Sequence, residues 1–152
     1  MKIESDIFIN NGRIPVKYTC NGEGINPSLI FKDVPKETKS LALIMDDPDI
    51  PEFVKSKNNI GVWDHWVVFN MSPETKKIDE NSLPNGIVGK NTSGENKYGP
   101  PCPPDREHRY FFKLYALDTV LSIPQSSNKA DLVRAMAQHI IDSATLVGLY
   151  GR

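Results

Sequence analysis

The amino-acid sequence predicts a mainly β fold closed by one amphipathic helix near the C-terminus. Short apolar runs bounded by turn residues fill the first three quarters of the chain. Twelve prolines and ten glycines supply those turns. Only the C-terminal segment carries a sustained helical period. At 152 residues the chain has the size of one compact unit, so a single domain over residues 1–152 is expected.

The apolar run Ile7–Ile9 leads into Asn10-Asn11-Gly12, a strong turn signal. Leu29–Phe31 runs into the polar connection Lys32–Lys39, which contains Pro35. Leu41–Met45 reads as a buried strand that stops at Asp46-Asp47-Pro48. Val62–Asn70, rich in Val, Trp and Phe, is the strongest strand signal and ends at Met71-Ser72-Pro73. Tyr110–Leu117 is a further strand, dense in aromatics. Between these last two lies a long connection, Pro84–Glu107, and prolines 100, 101, 103 and 104 each fix φ within it, so it reads as a shaped loop. Last come Val133, Met136, Ala137, Ile140, Ala144 and Val147 at helical spacing. Asn128 suits the N-cap, Asp131 the first turn and Gly148 the C-terminal stop of a helix of about five turns.

Composition excludes several classes. Eighteen basic and 19 acidic residues give a net charge of −1, which offers no global attraction to nucleic acid. No run approaches the roughly 18 apolar residues of a membrane span, so no transmembrane segment is expected. The polar N-terminal stretch Met1–Ile14 lacks a secretory pattern, and a cytoplasmic protein is the expectation. In that compartment Cys20 and Cys102 read as two buried, inert thiols, although spacing alone decides nothing about a bridge.

Polar groups that do chemistry concentrate in three places: Asp46–Pro51, Trp63–Trp66 and Tyr98–Tyr110. Strand alternation sorts them. Asp47 shares a face with Leu43 and Met45, His65 with Trp63, Val67 and Phe69, and His108 with Tyr110. A common face bearing Asp47, His65, His108 and Tyr110 is expected, with Asp46 and Asp64 turned away as a turn cap and a polar strand partner. His65 alone reads equally as a hydrogen-bonded core histidine. His139 reads as structural.

These residues carry a family resemblance. Asp47-Pro48-Asp49-Ile50-Pro51 resembles the DPDAP signature of the phosphatidylethanolamine-binding family, and Asp64–Asn70 resembles its HWVVxN strand. Tyr98–Pro104 with His108-Arg109-Tyr110 resembles its G-x-P-C-P-P…HRY block, and Tyr18–Gly22 its YTCDG turn. The terminus Leu146–Arg152 is similar to that of the microbial, Raf-kinase-inhibitor-like branch. The resemblance implies a Greek-key β-sandwich with a small anion pocket comprising Asp47, Asp49, Trp63, His65, Gly99, Pro101, His108 and Tyr110. It implies a phosphate-containing or carboxylate ligand, no cofactor and no metal. It also permits inhibition of a protease or kinase, and a homodimer.

Histidine N–H groups, a tyrosine hydroxyl and loop backbone can converge on a phosphate, and Gly99 allows close approach. Asp47 fits such a site by orienting a histidine or by meeting a ligand's ammonium group. Binding that weakens as pH rises through the histidine range follows from this reading. Two departures stand out: Ile50 replaces a small residue, and Pro100 replaces a glycine, removing a donor. Absence of HExxH and G-x-S-x-G patterns argues for a binding protein over a hydrolase.

Overall fold

The computed structural model describes residues 1–152. A small sheet contains β1 (Lys2–Glu4), β3 (Leu29–Lys32) and β6 (Lys77–Ile78), in the order β1-β3-β6. The larger sheet contains β2 (Gly12–Arg13), β4 (Ser40–Asp47), β5 (Trp63–Met71), β7 (Ile87–Val88), β8 (His108–Leu117) and β9 (Ile140–Tyr150). Their order is β2-β9-β8-β4-β5-β7. Two short helices, α1 (Glu52–Asn58) and α2 (Lys129–Met136), complete the chain. β4 and β5 form an antiparallel pair, and β8 returns to the far side of β4, the crossing expected of a Greek-key sandwich.

The two faces of the large sheet bury different things. Leu41, Leu43, Met45, Trp66, Val68, Tyr110, Phe112 and Leu114 face the small sheet and pack with Ile3, Leu29 and Phe31 in the main core. Ala42, Ile44, Val67 and Phe69 face the other way, against Leu132 and Met136 of α2. This two-sided burial explains why β4 reads as a continuous apolar run and not as an alternation.

The C-terminal helix is shorter than its period promises. The Asn128 cap is present, in a reciprocal capping box with Asp131. The helix then ends at Met136, and residues 140–150 form β9, the long partner of β8. Val133, placed on the expected apolar stripe, is exposed, while Leu132 and Met136 make the contact with the sheet. The β-branched and small residues of Ile140–Gly148 favour the extended state, and alternation there puts Leu146 and Tyr150 into the core. Gly148 is no helix stop: a Cβ there would lie 2.6 Å from Ile14 Cγ1 and 2.8 Å from Phe8 Cε2. Ile7–Ile9 forms no strand either; Phe8 enters the core and Ile9 is exposed beside the turn at Asn11.

Candidate functional site

A β-bulge builds the site. Met45 pairs with Trp66, but the next pair is Asp46 with Asp64, so His65 is an extra residue on β5. Strict alternation would leave His65 on the face of Val67 and Phe69, which pack beneath α2. The bulge resets the parity instead. Asp64 falls beside Asp46 on the outer face, and His65 and Trp63 turn toward the end of the main core. The expected common face is therefore real, but His65 does not share it with Val67 and Phe69.

His65 is then locked in place. Its Nδ1–H donates to the Gly99 carbonyl at 2.8 Å, and the Gly99 N–H donates to the His65 carbonyl at 2.8 Å. A Cβ on residue 99 would lie 3.1 Å from that His65 oxygen, so glycine keeps the two backbones close. The Nδ1 bond assigns the tautomer: neutral His65 presents an Nε2 lone pair, which makes no hydrogen bond within the protein. Burial holds its pKa down at about 4.

The resulting cavity has a volume of about 360 Å³ and lies between Asp47, Trp63, His65, Gly99, His108 and Tyr110. Tyr110 stacks its ring near both histidines, with centroids 5.3 Å from His65 and 6.4 Å from His108. Its side chain is fully buried and its hydroxyl has no hydrogen-bond partner in the protein. Of three such buried polar atoms, the other two belong to Thr38 and Asp64, which do not line the cavity.

Electrostatics divide the remaining groups. Asp47 is buried, and desolvation pushes its pKa up, opposed by His108 and by the Asp49 backbone. Its Oδ1 accepts the Asp49 N–H at 2.7 Å and its Oδ2 lies 2.7 Å from His108 Nδ1. His108 Nε2 lies 2.7 Å from Asp105 Oδ1, so both ring nitrogens face carboxylates and neither points freely into the cavity. His108 is a wall residue here, not the open donor expected from its sequence position.

Two expected site residues lie outside the lining. Asp49 accepts from Arg109 Nε and Nη2, both at 2.8 Å, and from its backbone N–H at 2.9 Å. Arg109 holds its pKa down at about 2. The side chain therefore ties the Asp47–Pro51 turn to β8. Pro101 is buried and its carbonyl accepts the Cys20 N–H at 3.0 Å, fixing loop to loop. Pro100 does line the cavity. Tyr150 is buried near β8 and donates to Asn21 Oδ1 at 2.8 Å, away from the lining.

The cysteines depart furthest from expectation. Cys20 and Cys102 are bridged, with Cα atoms 5.4 Å apart, and both residues are exposed. The strong turn at Tyr18–Gly22 and the proline-fixed loop meet at the rim, which brings 82 residues of separation to a disulfide distance. Pattern reading also missed Asp105, Lys97 and Val54. The first lies three residues before His108 on a loop, a spacing with no rule outside helices. Asp46 and Asp64 are not a cap and a bystander: Asp46 is buried and accepts from Lys113 at 3.0 Å and Lys129 at 2.6 Å. Lys129 also lies 3.2 Å from Asp64. A second hollow, of about 250 Å³, lies beyond Tyr98, but its buried Asn26 is satisfied by Pro27, Asp79 and Ser82. No three His, Cys, Asp or Glu residues are grouped to hold a metal.

Sequence comparison decides the ancestry of this arrangement. The phosphatidylethanolamine-binding protein model matches residues 4–151. The chain belongs to the phosphatidylethanolamine-binding protein family. A UPF0098 protein of Methanothermobacter thermautotrophicus is 49% identical, with 100% of this chain and 99% of that protein aligned. A UPF0098 protein of Chlamydia trachomatis is 47% identical over 99% of this chain and 98% of its own length. Among solved structures, a putative family homologue from Chlamydia trachomatis superimposes with a TM-score of 0.94 at 46% identity, covering 99% of this chain and 97% of its own. YbcL of Escherichia coli, a member of the mammalian branch by its description, gives 0.87 at 26% identity over 99% and 98%. No helix of this family member is long and apolar enough to cross a membrane.

Proposed function

We propose that the cavity binds the phosphate of a small phosphomonoester or zwitterionic head group, phosphoethanolamine being the type case, and performs no chemistry on it. The buried, unpartnered Tyr110 hydroxyl carries this reading. It costs stability unless an acceptor reaches it, and the neighbouring His65 Nε2 is a matching open acceptor. A monoanionic phosphomonoester has what both need: an ionised oxygen for the Tyr110 O–H and a P–OH for the His65 lone pair. Buried Asp47 and, at the rim, Glu95 suit the ammonium end of a zwitterion. The family's name, phosphatidylethanolamine-binding, is in keeping with that chemistry. For catalysis the site offers poor tools. Both Asp47 oxygens are engaged, and the wall sulfur of Cys102 is bonded to Cys20. Neither a hydrolase nor an inhibitor of proteases or kinases gains support from this geometry. A cytoplasmic setting places the exposed Cys20–Cys102 bridge among reductants; thiol titration of the freshly extracted protein tests that assignment.

The pH dependence follows from where the shared proton comes from. His65 stays neutral above about 4, so the ligand must bring the proton, and a phosphomonoester loses it above about pH 6. Affinity is expected to be flat between these values and to fall about tenfold per unit above them. The slope has the sign expected from the sequence, but the titrating group is the ligand. Calorimetry of phosphoethanolamine and sulfate at pH 6 tests the reading. Phosphoethanolamine should bind, Tyr110→Phe should weaken it about tenfold or more, and sulfate, which has no proton to offer, should bind poorly. Equal affinity in Tyr110→Phe would sink the assignment.

A further inference from the structure

We propose that Asp105 is a tethered competitor of the ligand: its carboxylate occupies the Nε2–H of His108, and a bound phosphate gains that donor by displacing it. The proposal rests on the phosphate-binding reading above and adds a residue that sets affinity from outside the cavity.

His108 stands between two carboxylates of different character. Asp47, on the Nδ1 side, has a side chain only 4% exposed and is pinned by the Asp49 N–H. Asp105, on the Nε2 side, is 33% exposed and belongs to Pro104–Glu107, a run of exposed residues outside any helix or strand. Asp47 is therefore the permanent partner and Asp105 the exchangeable one. Each ring nitrogen lies 2.7 Å from a carboxylate oxygen, a distance that requires a proton in each contact. With ionised carboxylates on both sides, the ring carries both protons and is a charge-assisted donor at Nε2. A carboxylate and a phosphate oxygen make the same bond to such a donor, so one can replace the other.

The local construction suits an exchange. The segment is anchored on its N-terminal side by the Cys20–Cys102 bridge and on its C-terminal side by the Arg109–Asp49 pair. Between these anchors, Arg106 lies 3.7 Å from Asp105 and is 61% exposed, so a displaced Asp105 carboxylate has a cation waiting at the surface. No covalent step is involved. A tethered group acts at a high effective concentration, and the apparent affinity of the ligand falls by the fraction of molecules in which Nε2 is free.

Titration of phosphoethanolamine at pH 6 into wild type, Asp105→Ala and Asp105→Asn tests this. Removing the competitor is expected to tighten binding about tenfold in Asp105→Ala, with Asp105→Asn between the two, because a neutral amide oxygen is a weaker acceptor. A residue that merely orients His108 would give a loss on removal, not a gain. In wild type, amide exchange of residues 104–107 should speed up on saturation, and the His108 Nε2 resonance should shift. Unchanged or weaker affinity in Asp105→Ala overturns the proposal. If that happens while Tyr110→Phe still abolishes binding, the cavity reading survives alone. If neither wild type nor Asp105→Ala binds phosphoethanolamine, both fall.

Discussion

Asp46 and Asp47 are sequence neighbours, both buried at the end of β4, and they do opposite jobs. Asp46 points to the outer face, where Lys113 and Lys129 neutralise it and Asp64 completes the cluster. Asp47 points to the inner face, where its charged neighbour is a histidine and the remaining groups are a phenol and a neutral imidazole. The outer cluster closes on itself: its two aspartates and two lysines balance, and it clamps α2 and β8 to the sheet. The inner one does not close, since the Tyr110 hydroxyl and His65 Nε2 lack partners. Buried charge by itself marks neither function nor structure. An unfulfilled hydrogen-bonding group beside a cavity is the informative difference.

The strongest way to break this contrast is to open the closed cluster. Asp46→Ala leaves two amines, 32% and 22% exposed, facing a single aspartate. Removing one member of a buried ion network costs 3–5 kcal/mol, and the partial exposure of the lysines argues for the low end, about 3 kcal/mol. Urea denaturation should show that loss while phosphoethanolamine affinity at permissive denaturant-free conditions stays within twofold or so of wild type. A large affinity change without a stability change would mean the two faces are not separate.

Acid sharpens the contrast from the other side. His65 is held at a pKa of about 4 in the folded protein against an ordinary 6.5, so the unfolded chain takes up its proton first. Stability from this group is complete above pH 6.5 and drains away as pH falls toward 4. By pH 5 the loss is about 2 kcal/mol. The raised Asp47 and Asp64 carboxyls act in the opposite sense, which is why the measurement must be a difference. Denaturation of wild type and His65→Gln at pH 7 and pH 5 should show about 2 kcal/mol less acid sensitivity in the variant. Identical pH dependence would contradict a buried neutral imidazole.

Much of this arrangement was legible before any coordinates. Turn residues and apolar runs located β4, β5 and β8, and motif resemblance gathered Asp47, His65, His108 and Tyr110 correctly. What sequence pattern missed has a physical cause in each case. The bulge at His65 breaks the period of two on which face assignment depends, and no local residue announces it. In Ile140–Tyr150, apolar residues at helical spacing coincide with an alternating pattern, and pairing with β8 along ten residue pairs overrides any helical preference. The Cys20–Cys102 bridge and the Asp105–His108 contact depend on how two loops meet, which spacing does not encode. Asp46 and Asp64 looked idle because their partner Lys129 arrives from a helix 83 residues from Asp46.

The smallest expected effect is also the most diagnostic. Tyr110 sits at full burial with its hydroxyl unanswered by any protein group, so the empty protein carries a desolvation cost that phenylalanine would not. Tyr110→Phe keeps the ring, its edge contact with His65 and its place in the core. The variant should therefore be more stable than wild type without ligand, by about 1 kcal/mol, while binding phosphoethanolamine more weakly. Adding saturating phosphoethanolamine should reverse the order, because only wild type converts binding into stability. Thermal melts of both proteins, with and without ligand, read all four states. A core tyrosine retained for packing alone predicts no crossing: the variant would be less stable or unchanged, and the ligand would shift both melts alike.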